Sequence, residues 1–349
     1  MAIEKNIVFV VSSMEERSGL ERVVATLVNG FVERYNNKIT VITRDLEDSE
    51  YGFEVDNRVD KVAFSGNLYV FLKKVQDFIR VNRPSCVISN NMGRLTLALS
   101  VLSYKQYGTI FISYEHVAAI SSPKWVQVLK RIVYKKVDKV VVLSSNDEGE
   151  YKRFHNNVYK VVNPLPFELG SYAYTKESKR IISLGRLTNQ KGYDLLLRAW
   201  KIVEIDYPEW SFHVYGKGED LEDLLKLRDD LGIKRLIFEG LSLDVKEVYN
   251  NASFYVMSSR FEGFGMVLIE AQAFSLPLVS FNCPHGPSDI INNSNGILVE
   301  NGNIKELAVA IRKLIDDREL RVEMSYDAFE SAKYYTIDNV CKSWNVIIN

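Results

Sequence analysis

The sequence predicts an α/β chain of two domains, each a mostly parallel sheet covered by helices. Three observations carry that expectation. Short runs of β-forming apolar residues alternate with amphipathic stretches along the whole chain. The segment Asn163-Pro-Leu-Pro166 breaks all regular structure once, and the alternation restarts at Ile181. A chain of 349 residues is long enough for two separate cores. The boundary is therefore placed at the proline pair, giving domains of residues 1–165 and 166–334.

Composition excludes several classes. A net charge of −1 argues against a dedicated nucleic-acid binder. The three cysteines, Cys86, Cys283 and Cys341, have no metal-ligand spacing and are expected to be reduced thiols. No apolar run reaches the roughly 18 residues that a membrane span needs. The N-terminal segment MAIEKNIVFVVSS carries an acidic residue and enters a strand at once, so it is not expected to be a signal peptide, and a cytoplasmic location is expected.

In the first domain, Ile7 to Ser12 reads as a buried strand, followed by a polar loop and a helix from about Leu20 to Arg34. Lys38 to Thr43 is a second strand. Leu68 to Val81 is an amphipathic helix, with Leu68, Phe71, Leu72, Val75, Phe78 and Ile79 on one side. Cys86 to Ser89 reads as a strand ending at a polar turn, Asn90-Asn91. Thr109 to His116 is another strand, and it ends in Tyr114-Glu115-His116. From Pro123 to Lys139 six cations (Lys124, Lys130, Arg131, Lys135, Lys136 and Lys139) face one acid, Asp138, and are interleaved with Trp125, Val126, Val128, Leu129, Ile132, Val133 and Val137. Such a helix either docks on an anionic membrane surface or is a domain helix with a solvated basic face. Lys139 to Leu143 and Val158 to Val162 are the last strands of this half.

The second domain begins with the strand Ile181 to Leu184 and a loop, Gly185-Arg-Leu-Thr-Asn-Gln-Lys-Gly192, that carries Arg186 and Lys191. A helix (Tyr193 to Ile205), a strand (Ser211 to Tyr215) and a Gly216-Lys-Gly218 loop follow. That loop lacks the third glycine of a dinucleotide fingerprint. Leu236 to Glu239 is a strand ahead of Gly240-Leu241. The strand Phe254 to Met257 then runs into the loop Ser258 to Gly265 and the helix Met266 to Phe274. Gly263 and Gly265 let the backbone approach a ligand, and the free N–H groups at the helix start favour an anion. Glu262 stands in the loop, and Glu270 lies about one turn into the helix. Helices follow at about Ile304 to Asp316, Arg318 to Ala332 and Ile337 to Ile348. The chain has no Asp-x-Asp and no histidine–carboxylate cluster with ligand spacing.

The run Glu262-Gly-Phe-Gly-Met-Val-Leu-Ile-Glu270 resembles the paired-glutamate signature of glycosyltransferase family 4, and Gly185-Arg-Leu-x-x-Gln-Lys-Gly192 resembles that family's diphosphate loop. Ser18-Gly-Leu-Glu-Arg22 is similar to its glycine loop, with Ser18 in place of the first glycine. The resemblance spans most of the chain and is specific from about Arg180 to Val299. It implies the GT-B architecture, two Rossmann-like domains facing across a cleft, with the first on the acceptor side and the second binding a nucleotide sugar. It also implies a tail helix, about 335–349, that packs back on the first domain.

By the same resemblance, Arg186 and Lys191 bind the diphosphate in place of a metal, so neither a metal nor another cofactor is expected. Glu262 accepts donor-sugar hydroxyls, Glu270 accepts ribose hydroxyls, and His116 lies over the donor sugar. The backbone at Gly19 and at Phe264, Gly265, Met266 and Val267 lines the phosphates and sugar, while Gly216 and Leu241 lie by the base. The implied reaction is a retaining α-transfer of a hexose or N-acetylhexosamine from UDP-sugar, with GDP as the other nucleotide. Retention by double displacement needs a carboxylate nucleophile. Glu115 is in the right neighbourhood but nothing singles it out, so front-face attack is the expectation.

Tyr114-Glu-His116 and Phe281-Asn-Cys-Pro-His-Gly-Pro-Ser-Asp289 look most like the branch that builds bacterial O-antigen and capsule. That branch implies a polyprenyl-diphosphate-linked saccharide as acceptor and peripheral association with the inner leaflet of the inner membrane. Two other readings stand beside this one. A nucleotide-sugar epimerase of GT-B architecture would convert its substrate without an acceptor. A non-catalytic nucleotide- or polysaccharide-binding module would show no turnover for Glu262 or Arg186 to affect.

Overall fold

The parallel sheets are built from strands with almost no solvent exposure. Ile7, Val8, Phe9 and Val10, for example, are fully buried, as expected where helices cover both faces of a parallel sheet. The structure is a computed structural model describing residues 5–45, 50–91, 94–175, 177–242 and 244–349. The first four residues of the N-terminal segment thus lie outside the described residues. The chain forms two compact units, one of residues 1–168 with 335–349 and the other of residues 169–334.

The first unit holds β1 (Asn6–Val10), α1 (Gly19–Tyr35), β2 (Lys38–Thr43), β3 (Asp60–Ala63), α2 (Leu68–Asn82), β4 (Cys86–Asn91), α3 (Leu95–Leu99), β5 (Ile110–Glu115), α4 (Lys124–Val133), β6 (Lys139–Val142), α5 (Ser145–Lys152) and β7 (Val158–Lys160). Its seven strands lie in the order β3-β2-β1-β4-β5-β6-β7, and every pairing is parallel. Phe71, Val75 and Ile79 form the buried stripe of α2, four residues apart, while the Asn67 side chain caps its start by accepting from the Val70 N–H.

The second unit holds β8 (Arg180–Leu184), α6 (Tyr193–Val203), β9 (Ser211–Tyr215), α7 (Leu221–Asp230), β10 (Leu236–Gly240), α8 (Val245–Asn250), β11 (Phe254–Met257), α9 (Met266–Ala273), β12 (Leu278–Asn282), α10 (Pro287–Ile290), β13 (Gly296–Glu300), α11 (Ile304–Asp316) and α12 (Arg318–Ala332). The sheet order is β10-β9-β8-β11-β12-β13, again all parallel. The core gathers around Trp200, Phe212, Phe254 and Ile311. From Leu268 onward α9 is buried on all sides, taking Glu270 and Gln272 inside with it.

The last helix, α13 (Ile337–Ile348), belongs to the first unit. Its C-terminal carbonyls accept from lysines: Lys5 Nζ reaches Ile348 O at 3.0 Å, and Lys139 Nζ donates to Ile347 O. Both cations answer the negative end of the helix dipole. Trp344, fully buried, meets Tyr114 edge-to-face at 4.9 Å. Where α13 crosses α1 the contact passes over Gly30, at which a Cβ would lie 2.5 Å from Ile337 Cγ1 and 3.0 Å from Cys341 Sγ.

Three local expectations are corrected. Asn90 and Asn91 are not a turn; they extend β4 and pair with Tyr114 and Glu115. The basic segment is helical only as far as Val133, because Tyr134–Lys136 tightens into a 3₁₀ turn before the chain straightens into β6. Lys130 is not on the basic face. It lies on the buried stripe Val126–Lys130–Tyr134.

Gly30→Val should destabilise the protein by about 2–3 kcal/mol, since branched methyls cannot fit between α1 and α13. Urea unfolding measures this, and an unchanged midpoint would mean that the crossing is looser than its geometry.

Candidate functional site

In the second unit the strand order reverses between β8 and β11. The chain runs outward from β8 to β9 and β10, then returns beside β8 and continues to β12 and β13. Loops leaving the carboxyl ends of the two central strands must diverge there, and the crevice between them is where open α/β sheets bind ligands. The loop after β8 carries Arg186 and Lys191, and the loop after β11 carries Glu262.

These loops bring Lys191 Nζ to 2.7 Å from Glu262 Oε1. Ser259 Oγ donates to the same oxygen at 2.6 Å. Glu262 Oε2 accepts from no described residue. Both charged groups are largely enclosed, with side-chain exposures of 17% for Lys191 and 8% for Glu262.

The crevice is held by a second set of contacts. Arg260 grips Asp194 with two hydrogen bonds of 2.8 Å. Burial raises the Asp194 pKa, but the Arg260 guanidinium outweighs it and holds the carboxyl below its ordinary value. Gln190 Nε2 donates to Phe261 O at 3.0 Å, and Ser258 Oγ donates to Lys191 O at 2.9 Å. Gly192 has φ +63°, and a Cβ there would lie 2.2 Å from Ser258 O, so the loops meet this closely only with glycine at that position. Gly216, with φ +152°, is pressed in the same way against Gly185 O, where a Cβ would come to 1.8 Å. Its N–H donates to Gly240 O at 2.8 Å.

The remaining candidates of this unit lie on the same carboxyl edge. Gly265 is the N-cap of α9, so the N–H groups of Met266 and Val267 belong to its first turn and have no partner within the helix. Phe264, just ahead of Gly265, is buried. Glu270, one turn on, is buried and accepts from Tyr249 Oη at 3.2 Å. Arg186 is exposed, and its guanidinium pairs with no described residue. Leu241 follows β10 and is 65% exposed.

Gly19 and His116 stand in the first unit. That sheet reverses between β1 and β4. Gly19 opens α1 after β1, and the Ser18 hydroxyl beside it donates to Glu21. His116 follows β5, its Nε2 3.4 Å from Asn90 Oδ1 and its ring 4.0 Å from that of Tyr114. Burial lowers its pKa and the neighbouring Glu115 only partly opposes this, so the imidazole is neutral near neutral pH.

The sequence names Glu115 and Lys130 but does not show that they pair in the core. Glu115 is fully committed within the fold. Its Oε1 accepts from Ser113 and from Tyr134 Oη (2.6 Å), and its Oε2 from Lys130 Nζ (2.8 Å) and Tyr151 Oη (2.9 Å). The signal was available, since Lys130 stands at the four-residue spacing between Val126 and Tyr134, a position that faces inward. Burying Lys130 leaves the opposite side of α4 unusual, with Lys124, Trp125, Val128, Leu129, Arg131 and Ile132 all exposed together. No helix among the described residues is long and apolar enough to cross a membrane, and no group of three or more metal-ligating side chains occurs among them.

Two doubly wound parallel sheets in succession are the GT-B fold, and comparison with known proteins agrees. The family model for glycosyl transferases group 1 matches residues 169–331, nearly the whole second unit. The amylovoran biosynthesis glycosyltransferase AmsD of Erwinia amylovora is 28% identical, over 98% of this chain and 99% of that protein. An α-1,4-N-acetyl-D-galactosaminyltransferase of Campylobacter jejuni, named for an undecaprenol-PP-linked acceptor, is 24% identical over 97% of each. Among solved structures, Anabaena HepE in complex with UDP superposes with a TM-score of 0.83 at 15% identity, covering 98% of this chain and 99% of that one. Together these matches support a GT-B glycosyltransferase.

Lys130→Met should cost about 3–5 kcal/mol by stranding the Glu115 carboxylate in the core, and adding Glu115→Gln should recover part of that loss. Denaturant unfolding of the three variants tests it; a single variant no less stable than the double would refute the buried pair.

Proposed function

We propose that this chain is a retaining α-glycosyltransferase of family 4 that moves a hexose or N-acetylhexosamine from UDP-sugar onto a polyprenyl-diphosphate-linked saccharide during synthesis of a bacterial surface polysaccharide. The observation that carries the reading is the Lys191–Glu262 pair at the β8/β11 reversal, with Arg186 exposed on the same loop. A cation beside a carboxylate suits a donor that is anionic at one end and rich in hydroxyls at the other. The family match over the second unit and the names of the Erwinia and Campylobacter relatives support the transferase class and the lipid-linked acceptor.

The chemistry follows from these groups. Arg186 can take two phosphate oxygens with its planar fork, and Lys191 adds a point charge. The first-turn N–H groups of α9 add partial positive charge toward the same anion. Together they would stabilise the departing diphosphate without a metal. Glu262 Oε2 would accept a donor-sugar hydroxyl, and Glu270 a ribose hydroxyl. His116, neutral, can donate one hydrogen bond to a sugar hydroxyl or accept one from it. Because both oxygens of Glu115 are already engaged, front-face attack is favoured over a covalent intermediate. The acceptor oxygen bonds to the anomeric carbon as the carbon–phosphate-oxygen bond breaks, and the acceptor proton passes to the departing phosphate, releasing UDP.

The exposed face of α4 gives the enzyme an approach to its lipid-linked acceptor from the cytoplasmic side. Trp125, Val128, Leu129 and Ile132 would enter the headgroup region while Lys124, Arg131, Lys135 and Lys136 meet anionic lipid, each worth about 1 kcal/mol near the surface. Lys130, being buried, takes no part.

Arg186→Ala and Lys191→Ala should each lower turnover by a factor equivalent to about 2–4 kcal/mol in folded protein, and wild-type turnover should survive excess EDTA. Near-normal rates in both variants, or metal-dependent rescue after EDTA, would overturn the diphosphate assignment. For the membrane face, the wild type should float with anionic vesicles at low salt, and a variant with Lys124, Arg131, Lys135 and Lys136 neutralised should not. Equal flotation of the two, or none, would remove the membrane part and leave the transferase reading standing.

A further inference from the structure

Glu270, assigned above to the donor, and Leu184, the residue ahead of the Gly185-Arg186 loop, are each held by a buried tyrosine hydroxyl. Tyr249, on α8, is fully buried and donates to Glu270 Oε2 at 3.2 Å, with its ring stacked on Phe274 at 5.1 Å and 10°. Tyr255, on β11, is also fully buried. Its hydroxyl donates to Leu184 O at 3.0 Å and accepts from Leu184 N at 3.2 Å. The reason lies in the ladder. β11 pairs with β8 only at Ile181 and Ile182, after which the strands part to open the crevice. The Leu184 N–H and C=O on that side have therefore run out of strand partner, and one phenol satisfies both. Leu184 leads directly into Gly185-Arg186.

A phenylalanine would fill either space equally well. Burying a hydroxyl costs free energy unless it is bonded, so each phenol oxygen is retained in the core only with a partner to hold. In both cases that partner belongs to the ligand-facing edge of the sheet. The two rings lie 6.4 Å apart, side by side beneath that edge.

We infer that Tyr249 and Tyr255 are positioning residues for different halves of one nucleoside diphosphate: Tyr249 aims the carboxylate that receives the ribose hydroxyls, and Tyr255 sets the turn that presents Gly185 and Arg186 to the diphosphate. This rests on the donor-site reading above. It goes further in dividing the site into a ribose half and a phosphate half, each with its own support, so damage to one should leave the other intact.

Calorimetric titration of wild type, Tyr249→Phe and Tyr255→Phe with UDP, UMP and 2′,3′-dideoxy-UDP tests the division, after circular dichroism has shown that each variant is folded. Wild type should prefer UDP to both analogues; if it does not, the donor-site reading fails, and that is visible without any variant. Tyr249→Phe should bind UDP roughly tenfold more weakly, yet bind 2′,3′-dideoxy-UDP as wild type does. Tyr255→Phe should lose roughly tenfold for UDP and little for UMP. Equal losses for all three nucleotides in either variant would mean a general packing role, and unchanged affinities would mean none; each overturns the inference while leaving the donor site in place.

Discussion

An ammonium group and a carboxylate 71 residues apart in the chain meet at 2.7 Å, and much of the second unit is arranged so that Lys191 and Glu262 can do so. Enclosing such a pair is costly unless its hydrogen-bonding capacity is met, because both ions leave water. Ser259 supplies one further bond to the carboxylate, and the Arg260–Asp194 clamp fixes the loop that carries it. Gly192 permits the close passage of the two loops. Behind these lies the reversal of strand order, which puts β8 beside β11 and so sets their loops against each other.

The same device appears in the first unit, where the reversal falls between β1 and β4 and the chemistry-bearing groups again leave the carboxyl ends of strands. The supports differ in kind. In the second unit, hydroxyls of Tyr249 and Tyr255 hold groups at the ligand edge. In the first, Tyr134 and Tyr151 join Lys130 around Glu115, tying α4 and α5 to the strand that ends beside His116. A residue chemically capable of serving as a nucleophile is thereby turned into a structural anchor.

What the sequence made legible follows from burial. The runs at Ile7, Ser211 and Phe254, and the helix from Ile304, carry strong apolar patterns, and each forms the expected element. The stretch from Phe254 to Ser280 was readable as strand, loop, helix and strand, because a buried strand, glycines and a proline mark its joints. β3 was missed because it is a partly exposed edge strand, Asp60-Lys-Val-Ala63, with no apolar run. α5 was missed because Ser-Asn-Asp-Glu-Gly-Glu-Tyr-Lys has no apolar periodicity; Ser144 caps it, and Asp147 and Tyr151 face inward. Asn90 and Asn91 looked like a turn, but strand pairing is made by main-chain groups and does not require apolar side chains. Lys130 and Glu115 show the limit most clearly, since a charge in sequence reads as surface until its partner, fifteen residues away, is found.

Transfer at the β8/β11 crevice requires that it bind a nucleotide sugar and pass the sugar to an acceptor. A panel of UDP- and GDP-sugars, assayed for nucleotide release with and without a polyprenyl-diphosphate-linked saccharide, tests that requirement directly. The expected result is release of UDP from one UDP-sugar, dependent on the acceptor and accompanied by a product one sugar longer. Conversion of the donor to an isomer without acceptor, or no release from any donor in the panel, would contradict it.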